Sequence, residues 1–128
     1  MKLILSYNQD KIMQPPKPYR EARPWGEFIE FTRNTPSTVK ILTVNAHEAF
    51  SLQTHSKRDE YWRVISGTGT IQVANQTYAV IAGESHFIPR GTLHRVEAGD
   101  TTVIILEISF GDFDEKDITR HDDRYGRR

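Results

Sequence analysis

A chain of 128 residues with 17 Lys and Arg against 17 Asp and Glu has no formal net charge, so it has no charge excess to draw it to a nucleic-acid backbone or an anionic membrane surface. It has no cysteine, which excludes a disulfide framework and any thiolate metal site. The length suits a single domain that buries roughly two-thirds of its unfolded surface, and no apolar run reaches membrane-spanning length.

Residues 1–22 read as an arm. The stretch Gln14-Pro15-Pro16-Lys17-Pro18 cannot lie inside a helix and favours an extended, polyproline-like path. Such an arm is either a tail on the surface or a strand lent to a partner subunit. Its opening, Met1-Lys2-Leu3-Ile4-Leu5, is too short for a signal-peptide core, so the cytoplasm is the expected compartment. From Arg23 onward the pattern is that of strands: 27–32, 38–44, 50–53, 60–66, 68–74, 77–81, 85–88, 93–97 and 102–110. Turn residues punctuate them, as at Asn34-Thr35-Pro36, Ser66-Gly67, Ala82-Gly83 and Pro89-Arg90-Gly91. Many short strands with regular turns predict a sandwich, barrel or jelly roll. Residues 114–120 are expected to form a short helical turn with Asp114 as N-cap.

Two clusters on these strands carry chemistry. The first is Gln53-x-His55-x4-Glu60, followed by Gly67; the second is Gly83-x5-Pro89-x-Gly91-x2-His94. Gln53 and His55 are two apart, so a strand points both to one face. The polar turn Ser56-Lys57-Arg58-Asp59 lets the next strand return Glu60 to the same place. His94 opens a further strand after its own Pro/Gly turn. Two imidazoles, one carboxylate and one amide oxygen suit one divalent first-row ion (Zn, Mn, Co, Ni or Fe) better than calcium or magnesium. Such a site keeps two octahedral positions open and a formal charge near +1, which favours Lewis-acid polarisation of a bound oxygen.

Other residues gather around these clusters. Glu107 sits in the otherwise apolar run Val103-Ile104-Ile105-Leu106-Glu107-Ile108, where desolvation raises a carboxyl pKa; it is the candidate base, the alternative being a solvent-facing edge residue. Lys40, Arg58 and Arg95 are candidate phosphate cations or ordinary surface charges. Trp62 lies two residues from Glu60 and either lines a pocket or packs in the core. His47, His86 and His121 fall off the ligand spacing. Arg120, Asp122, Asp123 and Arg124 read as a solvated charge cluster or as ties from the C-terminal tail to the barrel.

The paired clusters resemble the two motifs of the cupin superfamily, G-x5-H-x-H-x3,4-E-x6-G and G-x5-P-x-G-x2-H-x3-N. Here His47 replaces the first Gly, Gln53 the first His, and Ala98 the final Asn. The strings RPWGEF (23–28), SLQTHSKRDEYW (51–62), SGTGTIQV (66–73), GESHFIPRGTLHRVE (83–97) and GDFDEKDITRHDDRYGR (111–127) are similar to the C-terminal domain of type II mannose-6-phosphate isomerases. That domain is usually fused to a mannose-1-phosphate guanylyltransferase.

The resemblance implies a single all-β cupin domain over 23–128, a double-stranded β-helix or jelly-roll barrel. It implies metal ligands Gln53, His55, Glu60 and His94, catalytic Glu107, Arg95 and Lys40, and substrate contacts from Arg58, Arg95, Lys40 and Trp62. The expected reaction is metal-dependent interconversion of mannose 6-phosphate and fructose 6-phosphate by a homodimer, with no nucleic-acid or membrane partner. A non-catalytic sugar- or small-molecule-binding module and a different metal-dependent cupin enzyme are the alternatives. Ser56, Lys57 and Tyr61 stand where the family often has His, which bears on substrate preference rather than on the ligand set. No Gly-rich nucleotide-binding segment occurs in these residues, so guanylyltransferase chemistry is not expected of them.

Overall fold

Eleven strands and no helix make up residues 13–127, the part of the chain that the computed structural model describes. They are β1 Tyr19–Arg23, β2 Gly26–Glu30, β3 Thr38–Val44, β4 Leu52–Thr54, β5 Arg58–Ser66, β6 Gly69–Val73, β7 Gln76–Ala79, β8 Ser85–Ile88, β9 His94–Ala98, β10 Val103–Gly111 and β11 Thr119–Asp122. One sheet runs β3-β10-β5-β8 and the other β11-β4-β9-β6-β7. All pairings are antiparallel, as expected for an all-β jelly roll whose chain passes repeatedly between two facing sheets.

The alternation of side chains along the two longest strands builds the interior. On β5, Trp62 and Val64 point inward; on β10, Val103 and Ile105 do so, and all four are almost completely buried. Ile71 and Val96 from the other sheet close the same cluster. Burying each of these aliphatic side chains contributes roughly 1.5–3 kcal/mol. The same inward face carries Glu60, Glu107 and Lys40, because Glu107 is the cross-strand partner of both Trp62 and Lys40. The apolar core fills one end of the barrel and polar side chains fill the other. The opposite face of the four-stranded sheet has its own small cluster, in which Tyr61, Ile108 and Phe110 are covered by Met13, Phe31 and Phe87.

Two local expectations change. The boundary expected between residues 22 and 23 falls inside β1, which pairs with β2 as a hairpin in register Tyr19↔Glu30 to Arg23↔Gly26; residues 1–12 of the expected arm lie outside the described residues. Residues 114–120 are not helical. Asp114 caps a tight turn instead, accepting from Lys116 N at 2.9 Å, with Asp117 N donating to its carbonyl at 3.0 Å. The chain then enters β11, because pairing with β4 satisfies more backbone groups than a single isolated helical turn would. Among the described residues no helix is long and apolar enough to cross a membrane.

Candidate metal centre and substrate pocket

Each of the four expected ligands comes from a strand or strand end at the polar mouth of the barrel. Gln53 on β4 is the cross-strand partner of His94 on β9. His55 ends β4's excursion, and its carbonyl accepts from Gly91 N at 2.7 Å, tying the 89–92 turn to it. Asp59, itself buried, takes Arg90 N and Nη2 at 2.8 and 2.9 Å and fixes the same turn from the other side. His94 therefore enters from a doubly anchored loop. Asp117 does the same for His55: its carboxylate accepts from Ser56 N, Ser56 Oγ and Lys57 N, while its carbonyl accepts from His55 Nδ1 at 2.7 Å.

The two imidazoles are oriented by those outer contacts. His55 Nδ1 donates to the Asp117 carbonyl, and His94 Nδ1 donates to the Thr92 carbonyl at 2.9 Å. In the neutral rings, Nε2 is then a bare lone pair on both. Both lone pairs face Glu60 Oε1, at 3.0 Å from His55 and 3.4 Å from His94. Glu60 Oε1 is buried and has no hydrogen-bond partner. Three acceptors within 4.8 Å of one another repel unless protons or a cation sit between them. The His55/Glu60/His94 triad could hold a metal ion, and the donor set fits one. Gln53 commits its amide nitrogen to Ser51 O and Ser51 Oγ at 3.1 and 3.0 Å, which leaves its oxygen as a possible fourth donor. The outer-shell carbonyls on both histidines are the usual accompaniment of imidazole ligands. Arg58 Nη2 stands 3.1 Å from His55 Nε2, so this guanidinium lies against the lone pair that an ion would take.

Glu60 and Glu107 are charged very differently. Burial pushes Glu60 upward, but hydrogen bonds from His55 and His94, which need a proton on the ring nitrogen facing it, and from Glu107 outweigh this and hold it well below the usual carboxylate range. Burial, reinforced by the hydrogen bond and charge of Glu60, pushes Glu107 up to about 9. Of two neighbouring carboxyls in a dry site, one stays ionised and the other keeps its proton.

The triad opens into a pocket of about 210 Å³ lined by Gln53, His55, His94 and Trp62, with Glu107, Lys40 and Arg58 around it. A larger groove of about 630 Å³ runs between β3 and the C-terminal tail, away from the triad. Lys40 lines the triad pocket but is held by Glu115 at 2.5 Å and lies over the Phe113 ring. Arg58 also stacks on Phe113.

The expected catalytic and substrate role of Arg95 is corrected. Arg95 follows His94 directly, so on β9 it projects to the opposite face, where it donates to Phe50 O at 2.9 Å and pairs with Asp122 at 3.1 Å. His47 and His121 are exposed, and His86 is half-buried against Tyr78; none reaches the pocket. Sequence reasoning missed Arg120 and Glu115, which line the pocket, and Asp117 and Asp59, which hold its loops. In sequence Arg120 reads as part of a charge cluster, yet its cross-strand partner is Gln53; only the pairing of 119–122 with β4 reveals its place.

An antiparallel barrel whose mouth holds two histidines and a glutamate defines a cupin. Similarity to solved structures agrees on the fold: a cupin protein from Bacteroides fragilis has a TM-score of 0.56 at 19% identity, over 65% of this chain and 75% of that one. A 4-keto-6-deoxy sugar epimerase, NovW from Streptomyces spheroides, has a TM-score of 0.63 at 11% identity, over 80% and 65%. The family model for the C-terminal domain of mannose-6-phosphate isomerase matches residues 9–123, and the chain belongs to that family. The mannose-1-phosphate guanylyltransferase RfbM of Salmonella typhimurium is 36% identical over 98% of this chain, and the match occupies 27% of RfbM. The chain thus spans about a quarter of the length of such relatives.

Proposed function

We propose that this domain is a metal-dependent sugar-phosphate isomerase that interconverts mannose 6-phosphate and fructose 6-phosphate. The observation that carries the reading is a converging set of three lone-pair donors, His55, Glu60 and His94, beside a pocket that also holds a separate buried carboxyl, Glu107. Membership of the mannose-6-phosphate isomerase C-terminal family supports the sugar phosphate as substrate. Gln53, His55, Glu60 and His94 would hold the ion, which when bound supplies polarisation of adjacent carbonyl and hydroxyl oxygens.

The isomerisation moves one proton between C1 and C2 and one between their oxygens. Two carboxyls line the pocket, Glu107 and Glu115, and Glu60 lies at the triad beside it. Glu60 faces the two histidines, Glu115 is paired with Lys40, and Glu107 remains for the transfer. Positive charge at the triad favours the ionised form of Glu107, the state that can accept a proton from carbon. Trp62 Nε1 fixes the Glu107 carboxyl by donating to Oε2 at 3.2 Å. Leu42, Phe50 and Ile118 give the pocket an apolar wall against which the sugar carbons would pack.

A homodimer fits the outer face of the four-stranded sheet, where Val39, Ile41 and Ile65 are 57%, 60% and 49% exposed and would be covered by a second copy. The cytoplasm, where phosphorylated sugars are made and used, is the compartment this reading implies. The test is a coupled assay on purified, metal-analysed protein with mannose 6-phosphate against glucose 6-phosphate. Metal-dependent turnover of mannose 6-phosphate is expected. Bound metal without turnover of either sugar would instead support the non-catalytic binding module.

A further inference from the structure

The pocket contains a cation that the isomerase chemistry does not use. Arg120 on β11 is the cross-strand partner of Gln53, and Gln53 is the cross-strand partner of His94. Directly opposed residues share a face, so Arg120 belongs to the same wall as the candidate ligands, and it lines their pocket. Its Nε is buried and has no hydrogen-bond partner. Among the described residues it joins no ion pair.

The neighbouring cations are committed. Lys40 is paired with Glu115. Arg58 donates to the Asp114 carbonyl, stacks on Phe113 and lies against His55 Nε2 and the Glu60 carboxylate; its Nε is also buried without a hydrogen-bond partner, but that nitrogen faces the triad and not the β11 wall where Arg120 lies. Arg95 is bound on the far face. A guanidinium whose donor is buried and unmatched is unfavourable by itself.

We propose that Arg120 is the phosphate anchor of this pocket and the residue that selects a phosphorylated sugar over a free one. The inference rests on the isomerase reading for the identity of the sugar, but not for the anion site itself. The planar fork of an arginine matches two phosphate oxygens at once. Geometry suits a phosphate remote from the reacting carbons: two strand spacings separate Arg120 from His94, about 10 Å between backbones. A six-carbon sugar carries its 6-phosphate at the far end from C1 and C2. With the triad over C1 and C2, the phosphate falls toward β11. A pocket of about 210 Å³ lies below the usual range for an enveloped ligand, so it takes the reacting end while the phosphate rests at the mouth.

The test compares the metal-loaded full chain with R120Q and R120K, using calorimetric titration of mannose 6-phosphate, inorganic phosphate and mannose beside steady-state turnover. R120Q is expected to weaken both phosphate-bearing ligands roughly 10- to 100-fold, raise KM more than it lowers kcat, and leave metal content and mannose affinity unchanged. R120K should recover part of the loss. Unchanged affinity for mannose 6-phosphate in R120Q, or an equal loss for mannose, overturns the anchor. Turnover of mannose 6-phosphate by the parent chain that R120Q matches removes the anchor and leaves the isomerase. A parent chain that binds phosphate through Arg120 but turns over no sugar phosphate removes the isomerase and leaves the anion site. Binding of neither phosphate nor sugar phosphate overturns both.

Discussion

Glu60 and Glu107 share a single donor: Trp62 Nε1 lies 3.1 Å from Glu60 Oε2 and 3.2 Å from Glu107 Oε2. One N–H cannot neutralise two buried carboxylates, so the pair divides the work, with Glu60 ionised and Glu107 protonated. The sequence places the three residues on neighbouring strands; the register Glu107↔Trp62 is what brings them to one indole.

The split has a pH signature in the metal-free protein. Glu107 ionises near its ordinary 4.5 when unfolded and near 9 when folded. Between those values the folded state holds a proton that the unfolded state has lost, so stability falls as pH rises, by up to about 1.4 kcal/mol per pH unit. Glu60, held low, is ionised in both states across this window and adds no slope. Glu107→Gln should flatten the decline between pH 5 and 9 in urea unfolding, while lowering metal-dependent turnover about 100-fold or more. An unchanged slope would remove Glu107 as the protonated partner, and unchanged turnover would remove it from the reaction.

Removing a histidine of the triad should abolish metal binding and spare the fold. His55→Ala and His94→Ala each delete one of three converging donors, and neither side chain belongs to the apolar core cluster. Saturating divalent metal, at about 100 times its Kd, is expected to stabilise the parent chain by about 2.7 kcal/mol and neither variant. Elemental analysis after dialysis, with circular dichroism to verify the β fold, checks both parts. Stoichiometric metal in both variants would move the centre elsewhere.

How much of this was legible follows from strand geometry. Gln53, His55 and Glu60 are readable because period-two alternation and one short turn determine their convergence, and Thr38–Val44 and Ser85–Ile88 are found at the bounds their patterns give. The same alternation takes Arg95 away from the pocket: adjacency to His94 on a strand means opposition in space. Arg120 was hidden because Thr119–Asp122 is short, polar and without alternation of hydrophobicity, so only its pairing with β4 identifies it as a strand. Tyr19–Arg23 was hidden for a similar reason, since four of its five residues are exposed. The roles of Asp59 and Asp117 depend on loop contacts across 31 and 60 to 62 positions of chain, which no local pattern encodes.

Asp117→Ala should loosen the metal without touching a ligand. Burial raises the Asp117 carboxyl, but the Ser56 and Lys57 hydrogen bonds more than reverse this and hold it low. Losing the carboxylate frees the 56–57 turn, and with it the carbonyl that orients His55. A loss of outer-shell support of this kind weakens metal affinity about 10- to 100-fold. Competition titration with a chelator measures it. Asp117→Asn should not rescue, since its amide NH2 would have to face a backbone N–H. Parent-like affinity in Asp117→Ala would show that His55 is oriented by ring packing alone.

Gly67 and Gly91 belong to the same paired motif but should respond differently to alanine. A Cβ on Gly67 would lie 2.3 Å from Thr102 O and 2.6 Å from Val103 Cα, against fixed backbone, at φ +108°. The β5–β6 turn cannot give way without moving the start of β10, whose Val103 is fully buried. Gly91 has φ +78° and open space around a Cβ, and alanine keeps the N–H that binds His55 O. Gly91→Ala should therefore lose only the left-handed backbone preference, about 1–2 kcal/mol, and keep its metal. Gly67→Ala adds an overpacking clash and should lose about 3 kcal/mol or more. Urea unfolding of the two variants decides between this and a shared conformational role. Equal losses would mean that positive φ, not the close approach of β10, explains both glycines.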